Sequence, residues 1–204
     1  MISIVIPVFN QLHYTKQCLE SLRQTVGNAA AIVVVDNGST DGSGDFLKSV
    51  PNIQLISNEE NRGCAAAWNQ GVNALAAEWT VILNNDVLLA SGWLEALVAF
   101  AGQNHYDIVS PAIREGEMNY DIEAYAREFT GAMSQVVRNG VANGICFMVR
   151  RAVFEKTGLF DENFRIGQFE DTDFFLRARR AGFRLATTGC AFIHHFGSIT
   201  QNSI

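Results

Sequence analysis

Ile2-Ser3-Ile4-Val5-Ile6-Pro7-Val8-Phe9-Asn10 opens the chain as a short apolar run that meets a proline and ends in a polar residue. It lacks the basic start and small-residue end of a secretory leader, so it predicts a strand rather than a signal peptide. The pattern then repeats outward from it. Apolar runs at 31–35, 53–57, 80–83 and 108–111 alternate with helical patterns at 11–24, 43–49, 63–77 and 92–102. Strands of four to eight residues alternating with longer helices predict parallel β-α-β units. The runs are nearly continuous in Val, Ile and Leu, which suits a sheet covered by helices on both faces. The first half therefore predicts an open α/β sheet.

From Arg114 to Asn139 the residues are mixed, with weak periodicity, and predict an insertion over the sheet edge. Regularity returns with a strand at 145–149, helices at 151–157 and 169–181, and closing strands at 185–187 and 191–196. No internal repeat or Pro-, Gly- or Ser-rich linker divides the chain. The 204 residues predict one domain, whose regular α/β half at about 1–112 gives way to a mixed half at about 113–204.

With 48% hydrophobic residues the chain can bury a large core, and 15 Lys+Arg against 21 Asp+Glu leave a net charge of −6. That balance argues against nucleic acid as a partner, because phosphate backbones demand clustered positive charge. Cys18, Cys64, Cys146 and Cys190 are scattered, without a C-x-x-C pair, and read as reduced core thiols of a cytoplasmic protein. The longest apolar stretch, 87–101, is too short to span a bilayer. Work at the inner face of a membrane would need a peripheral contact.

Ligands of open α/β sheets bind beyond the carboxyl ends of the strands. There the chain places Pro7-Val8-Phe9-Asn10, Asp36-Asn37-Gly38-Ser39-Thr40-Asp41-Gly42, Asn61-Arg62-Gly63 and Asn84-Asn85-Asp86. No G-x-G-x-x-G follows the first strand, and neither a P-loop nor a G-x-S-x-G elbow occurs. Dinucleotide enzymes, P-loop NTPases and the commonest α/β-hydrolases are disfavoured accordingly.

These segments resemble family-2 glycosyltransferases of the GT-A fold. The resemblance continues through Asn69-x-Gly71, Gly158-x-Phe160-Asp161-Glu162, Glu170-Asp171-x-Asp173 and His195-x-Gly197-Ser198-x-Thr200. Each motif alone is weak, and the ordered set is specific. The finer likeness is to bacterial rhamnosyltransferase-like members of polysaccharide synthesis. What it implies is an inverting hexosyltransferase that moves a sugar from a UDP- or dTDP-sugar to a hydroxyl on a saccharide or lipid-linked saccharide.

The residues admit chemical readings beside the resemblance. Asp36 could accept from N3–H of uracil or thymine and would repel cytosine; the plainer reading is an Asx-turn before Gly38. Pro7, Phe9, Asn10, Asn61 and Asn69 are expected around the nucleotide, although Phe9 fits a core position equally well. Asn84-Asn85-Asp86 is a D-x-D variant in which Asp86 is the best metal ligand and Asn84 and Asn85 are expected on ribose or donor sugar. A divalent Mg²⁺ or Mn²⁺ would neutralise the departing diphosphate. By the resemblance, His195 is a second ligand, and imidazole favours Mn²⁺. The resemblance makes Asp171 the catalytic base and Glu170 its neighbour. Acidic residues also simply suit a helix start, and Asp173 fits an i, i+4 pair with Arg177. The competing functions are a sugar-1-phosphate nucleotidyltransferase and an inactive nucleotide-sugar-binding module.

Overall fold

The structure is a computed structural model and describes residues 1–164 and 169–197. Ser198 and Thr200 of the expected terminal motif lie outside the described residues. The elements run β1 (Ile2–Val8), α1 (Leu12–Val26), β2 (Ala31–Asn37), α2 (Ser43–Ser49), β3 (Ile53–Asn58), α3 (Cys64–Ala74), β4 (Trp79–Leu83), β5 (Val87–Leu89) and α4 (Trp93–Asn104). They continue with β6 (Ile108–Glu115), α5 (Ile122–Met133), β7 (Val137–Asn139), β8 (Cys146–Arg150), α6 (Arg151–Thr157), α7 (Glu170–Arg180) and β9 (Leu185–His195).

The expected α/β sheet is present, in the order β3-β2-β1-β4-β8-β6-β9-β5, with β7 beside β9. β3, β2, β1 and β4 are parallel, β8 runs against both β4 and β6, and β6 is parallel to β9. β6 consequently points the same way as β1, β2 and β4, so the carboxyl ends of all these strands, and of β9, share one edge.

One apolar cluster, including Ile4, Ile6, Leu22, Val34, Leu83, Trp93 and Leu97, lies between the sheet, α1 and α4. Another, including Val5, Val33, Trp68, Ile82, Phe147, Phe160 and Phe174, lies between the sheet and the helices α3, α6 and α7. Alternate residues of β1, β2, β4 and β8 feed opposite clusters, which follows from the two-residue period of a strand. The Val/Ile runs are continuous because both faces are buried.

The segment expected as an insertion holds the end of β6, a full helix and a short strand. Asp121 starts α5 by accepting from the Ala124 N–H at 2.8 Å, a cap that satisfies an orphan donor of the first turn. Tyr125 and Phe129 of α5 pack on Phe192. The two expected closing strands are one strand, β9, with a bulge. Its pairing with β6 shifts by three residues between Pro111↔Thr188 and Ala112↔Phe192. Gly189 sits in that bulge where a Cβ would lie 2.2 Å from the Met133 carbonyl oxygen, so only glycine fits without moving backbone.

Candidate active site

Loops after β1 and β2 are laced together by short polar side chains. The Asn10 N–H donates to Ser39 Oγ at 2.8 Å, and the Thr40 N–H donates to Asn10 Oδ1 at 2.8 Å. Asp41 accepts from the Leu12 N–H at 2.9 Å and from the Ser43 N–H and hydroxyl, so one carboxylate serves the first turns of both α1 and α2. Asp36 is buried, and its Oδ1 accepts from the Ser39 N–H at 3.0 Å. That bond reaches three residues on, past the two of an Asx-turn, while Oδ2 faces Gly44. Pro7 and Phe9 are half-buried beside this lacing.

Asn37, which the sequence did not single out for a role, organises the next loop. Its Nδ2 donates to Asn61 Oδ1 at 2.9 Å and to the Gly63 carbonyl, and its Oδ1 accepts from Asn58 Nδ2 and the Arg62 N–H. Asn61 Oδ1 also accepts from the Gly63 N–H at 2.9 Å. Asn61 thus shapes the entry into α3.

After β4, the three residues of the D-x-D variant part ways. The Asn84 N–H donates to the Ile145 carbonyl at 2.9 Å, tying the end of β4 to the start of β8. Asn85 is buried and donates from Nδ2 to Thr15 Oγ1 at 2.9 Å beneath α1. Asp86 is 4% exposed, and its Oδ1 lies 3.3 Å from Nε2 of His195, itself 4% exposed. The two atoms are buried and neither has a hydrogen-bond partner. On the far side of the ring, His195 Nδ1 lies 2.8 Å from Oε1 of Glu115.

A carboxylate can only accept, so Nδ1–H is directed at Glu115; the neutral ring then presents a lone pair at Nε2, and the imidazolium presents a second proton to Asp86. In the neutral ring, two electron-rich atoms then face each other at 3.3 Å. Burial by itself would lower the pKa of His195; the carboxylates of Asp86 and Glu115 reverse this and hold it above its ordinary value. The corner therefore attracts positive charge. Adjacent ligands of a six-coordinate ion at about 2.1 Å lie roughly 3 Å apart, which matches the facing oxygen and nitrogen. These residues fit a divalent cation with two protein ligands. No cluster of three or more His, Cys, Asp or Glu suited to a metal occurs among the described residues. A cation here would take its other ligands from substrate phosphate and water, the usual manner of Mg²⁺ sites. A cleft of about 550 Å³ lined by His13, Tyr14, Gln17, Gly116, Glu117, Met118 and Phe196 opens beside the corner.

Asp171 lies in the first turn of α7 and accepts from the Thr172 N–H at 2.7 Å. Its Oδ2 rests against Gly144, where an ideal Cβ would be 2.2 Å away. Gly144 adjoins Ile145, whose carbonyl holds the Asn84 N–H, so a short run of backbone links the Asp171 carboxylate to the segment carrying Asp86. Glu170 is 3% exposed, with Oε2 buried and unpartnered. Burial pushes its carboxyl above the usual carboxylate range, and the Asp171 charge adds to this against hydrogen bonding from its own backbone and Cys64. Asp173 pairs with Arg177 at 2.8 Å, and Arg177 also donates to the Thr157 and Leu159 carbonyls.

Two residues expected at the nucleotide, Asn69 and Asn85, have their amides engaged by protein groups. Asn69 accepts from the Phe160 N–H and donates to the Phe160 carbonyl and Glu162 Oε1, pinning α3 to the loop after α6. Asn85 points into the interior, as described. Both are polar residues whose amides satisfy buried backbone or hydroxyl groups, a demand that tertiary structure creates. Glu115 and Asn37 are the residues that sequence reasoning missed.

A model of Glycosyl transferase family 2 matches residues 3–158. Glycosyltransferase AglE of Haloferax volcanii is 27% identical over 98% of this chain and 69% of its own length. Among solved structures, S. aureus TarS 1-349 in complex with UDP superposes with a TM-score of 0.74 at 17% identity, covering 95% of this chain and 59% of that one. The mannosyltransferase PcManGT from Pyrobaculum calidifontis, in complex with GDP-Man and Mn²⁺, superposes with a TM-score of 0.74 at 21% identity, covering 95% and 56%. The alignments take in between 14% and 69% of the lengths of the first curated relatives, with GlyG and GlyA of Streptococcus pneumoniae at 38% and 14% and AglE at 69%. Nucleotide-diphosphate-sugar transferases of the GT-A type share this sheet, and the chain belongs to glycosyltransferase family 2.

Proposed function

We propose that the chain transfers a sugar from a nucleotide-diphosphate donor to a hydroxyl acceptor with inversion, assisted by a divalent cation. The observation that carries this reading is the buried, unpartnered pair formed by Asp86 Oδ1 and His195 Nε2, 3.3 Å apart at the carboxyl edge of the sheet. When bound, a cation there neutralises the diphosphate as it leaves. Asp86 and His195 would hold it, and the imidazole favours Mn²⁺. Asp36, with Oδ1 engaged by the Ser39 N–H, offers its other oxygen to N3–H of uracil or thymine. Pro7, Phe9 and Asn10 would wall that base pocket, with Asn61 supporting it through the loop and Asn84 facing the donor.

Inversion needs a base that removes the acceptor proton as the anomeric carbon is attacked from the opposite side. Asp171 takes that role, held against Gly144 at the helix N-terminus, where the dipole favours its ionised form. Glu170, kept buried behind it, supports that turn. The first half of the chain would hold the donor and the second half the acceptor. A role in surface polysaccharide assembly, at the cytoplasmic face of a membrane, fits the resemblance seen in the motifs. No helix among the described residues is long and apolar enough to cross a membrane.

The test is incubation with UDP-, dTDP- and GDP-hexoses, with Mn²⁺ or with EDTA, while released nucleoside diphosphate is measured. Mn²⁺-dependent release is expected from a uridine or thymidine donor. Pyrophosphate release from nucleoside triphosphate and sugar-1-phosphate would favour a nucleotidyltransferase instead, and nucleotide binding without release would favour an inactive module.

A further inference from the structure

We propose that Glu115 is a positioning residue that orients His195 for the divalent cation, so that the cation corner is a three-strand device rather than a two-residue motif. The inference rests on the reading of Asp86 and His195 as cation ligands. Glu115 ends β6, and His195 ends β9 as its direct partner in the parallel register. Glu115 Oε1 accepts from Nδ1–H at 2.8 Å. That bond fixes both the ring rotation and the tautomer, leaving the Nε2 lone pair aimed at Asp86 Oδ1. A histidine that ligates a metal through one nitrogen commonly donates through the other to a carboxylate, and losing that partner costs about 10- to 100-fold in metal affinity.

The pairing is created by the bulge. Had β9 continued in the register of Pro111↔Thr188, Glu115 would face Phe192; the three-residue shift places His195 there. The adjoining backbone is tied on both sides, since the Gly116 N–H donates to the His195 carbonyl and the Phe196 N–H donates to the Asp86 carbonyl, each at 3.0 Å. His195 is thus clamped between the ends of β6 and β5, while the Glu115 side chain remains 61% exposed. Truncating Glu115 should leave the fold intact and free only the ring.

The experiment measures calorimetric binding of UDP, dTDP and GDP, each in Mn²⁺ and in EDTA, and takes the ratio of the two affinities for the nucleotide that binds most tightly. Glu115→Ala should cut that Mn²⁺-dependent ratio about 10-fold or more, with EDTA affinity and thermal midpoint unchanged. Glu115→Gln, whose amide oxygen still accepts from Nδ1–H, should stay within about threefold of the parent chain. A purely structural role would move the midpoint or the EDTA affinity instead, and would contradict the proposal. An unchanged ratio in Glu115→Ala, with the ratio lost in His195→Ala, overturns the role of Glu115 alone. If His195→Ala also keeps the ratio, or no nucleotide gains from Mn²⁺, the cation reading fails and this proposal falls with it.

Discussion

The carboxylate of Asp171 occupies space that a side chain at Gly144 would need: an ideal Cβ there would lie 2.2 Å from Asp171 Oδ2. The absence of a side chain two residues before β8 thus leaves room for the first turn of α7. Gly144→Ala should displace Asp171 by a sizeable fraction of an ångström. The expected outcome is a fall in kcat of about 100-fold with nucleotide affinity unchanged, as small misplacements of reacting groups cost on that order. Steady-state kinetics beside calorimetric UDP binding would show it, and full activity in G144A would break the link between this contact and transfer.

Asp171→Asn retains the size of the side chain and removes its basicity. Transfer should fall by about 100- to 10,000-fold, while donor binding stays near that of the parent chain. Substantial turnover by D171N in a donor-transfer assay would mean that the base lies elsewhere.

Glu170 makes stability depend on pH in a defined direction. Burial first, and the Asp171 charge second, raise its pKa above the ordinary carboxylate value of 4.5. The folded state therefore holds the proton more tightly than the unfolded chain, so this group's contribution favours folding at low pH. That contribution declines as pH climbs from about 4.5 through the raised value. Glu170→Gln removes the ionisation. Urea denaturation should show E170Q gaining stability relative to the parent chain at pH 7 compared with pH 4. A difference that is the same at both values would contradict the buried, raised carboxyl.

Asn69 has both ends of its amide engaged, with the Phe160 backbone and with Glu162. Asn69→Ala leaves the Phe160 N–H and carbonyl without partners in a buried setting. A loss of about 1–3 kcal/mol in unfolding free energy is expected, with UDP affinity little altered. Chemical denaturation and calorimetry separate the two effects, and loss of nucleotide affinity at full stability would restore Asn69 to the pocket.

The strand and helix alternation was legible because each run carries its own period, and α2 and α6 fall on the expected residues. Helix α5 carried the spacing of a buried face at Ile122, Tyr125, Ala126 and Phe129, yet polar neighbours and Gly131 masked it. β5 and β7 are three residues each and make no periodic signal. In the site, Asp86 and His195 stood out as chemical types in ordered motifs. Glu115 did not, because its meeting with His195 depends on a register shift between strands that chain order leaves open. Asn69 and Asn85 looked like ligand-binding amides because a buried amide and a binding amide have the same composition; only the partner distinguishes them.

The most direct measurement is an anomalous difference map from crystals grown with Mn²⁺ and UDP. One Mn²⁺ peak about 2.0–2.3 Å from both an Asp86 carboxylate oxygen and His195 Nε2, and touching the diphosphate, is the predicted result. A Mn²⁺–UDP complex bound with its metal away from both side chains would contradict the account.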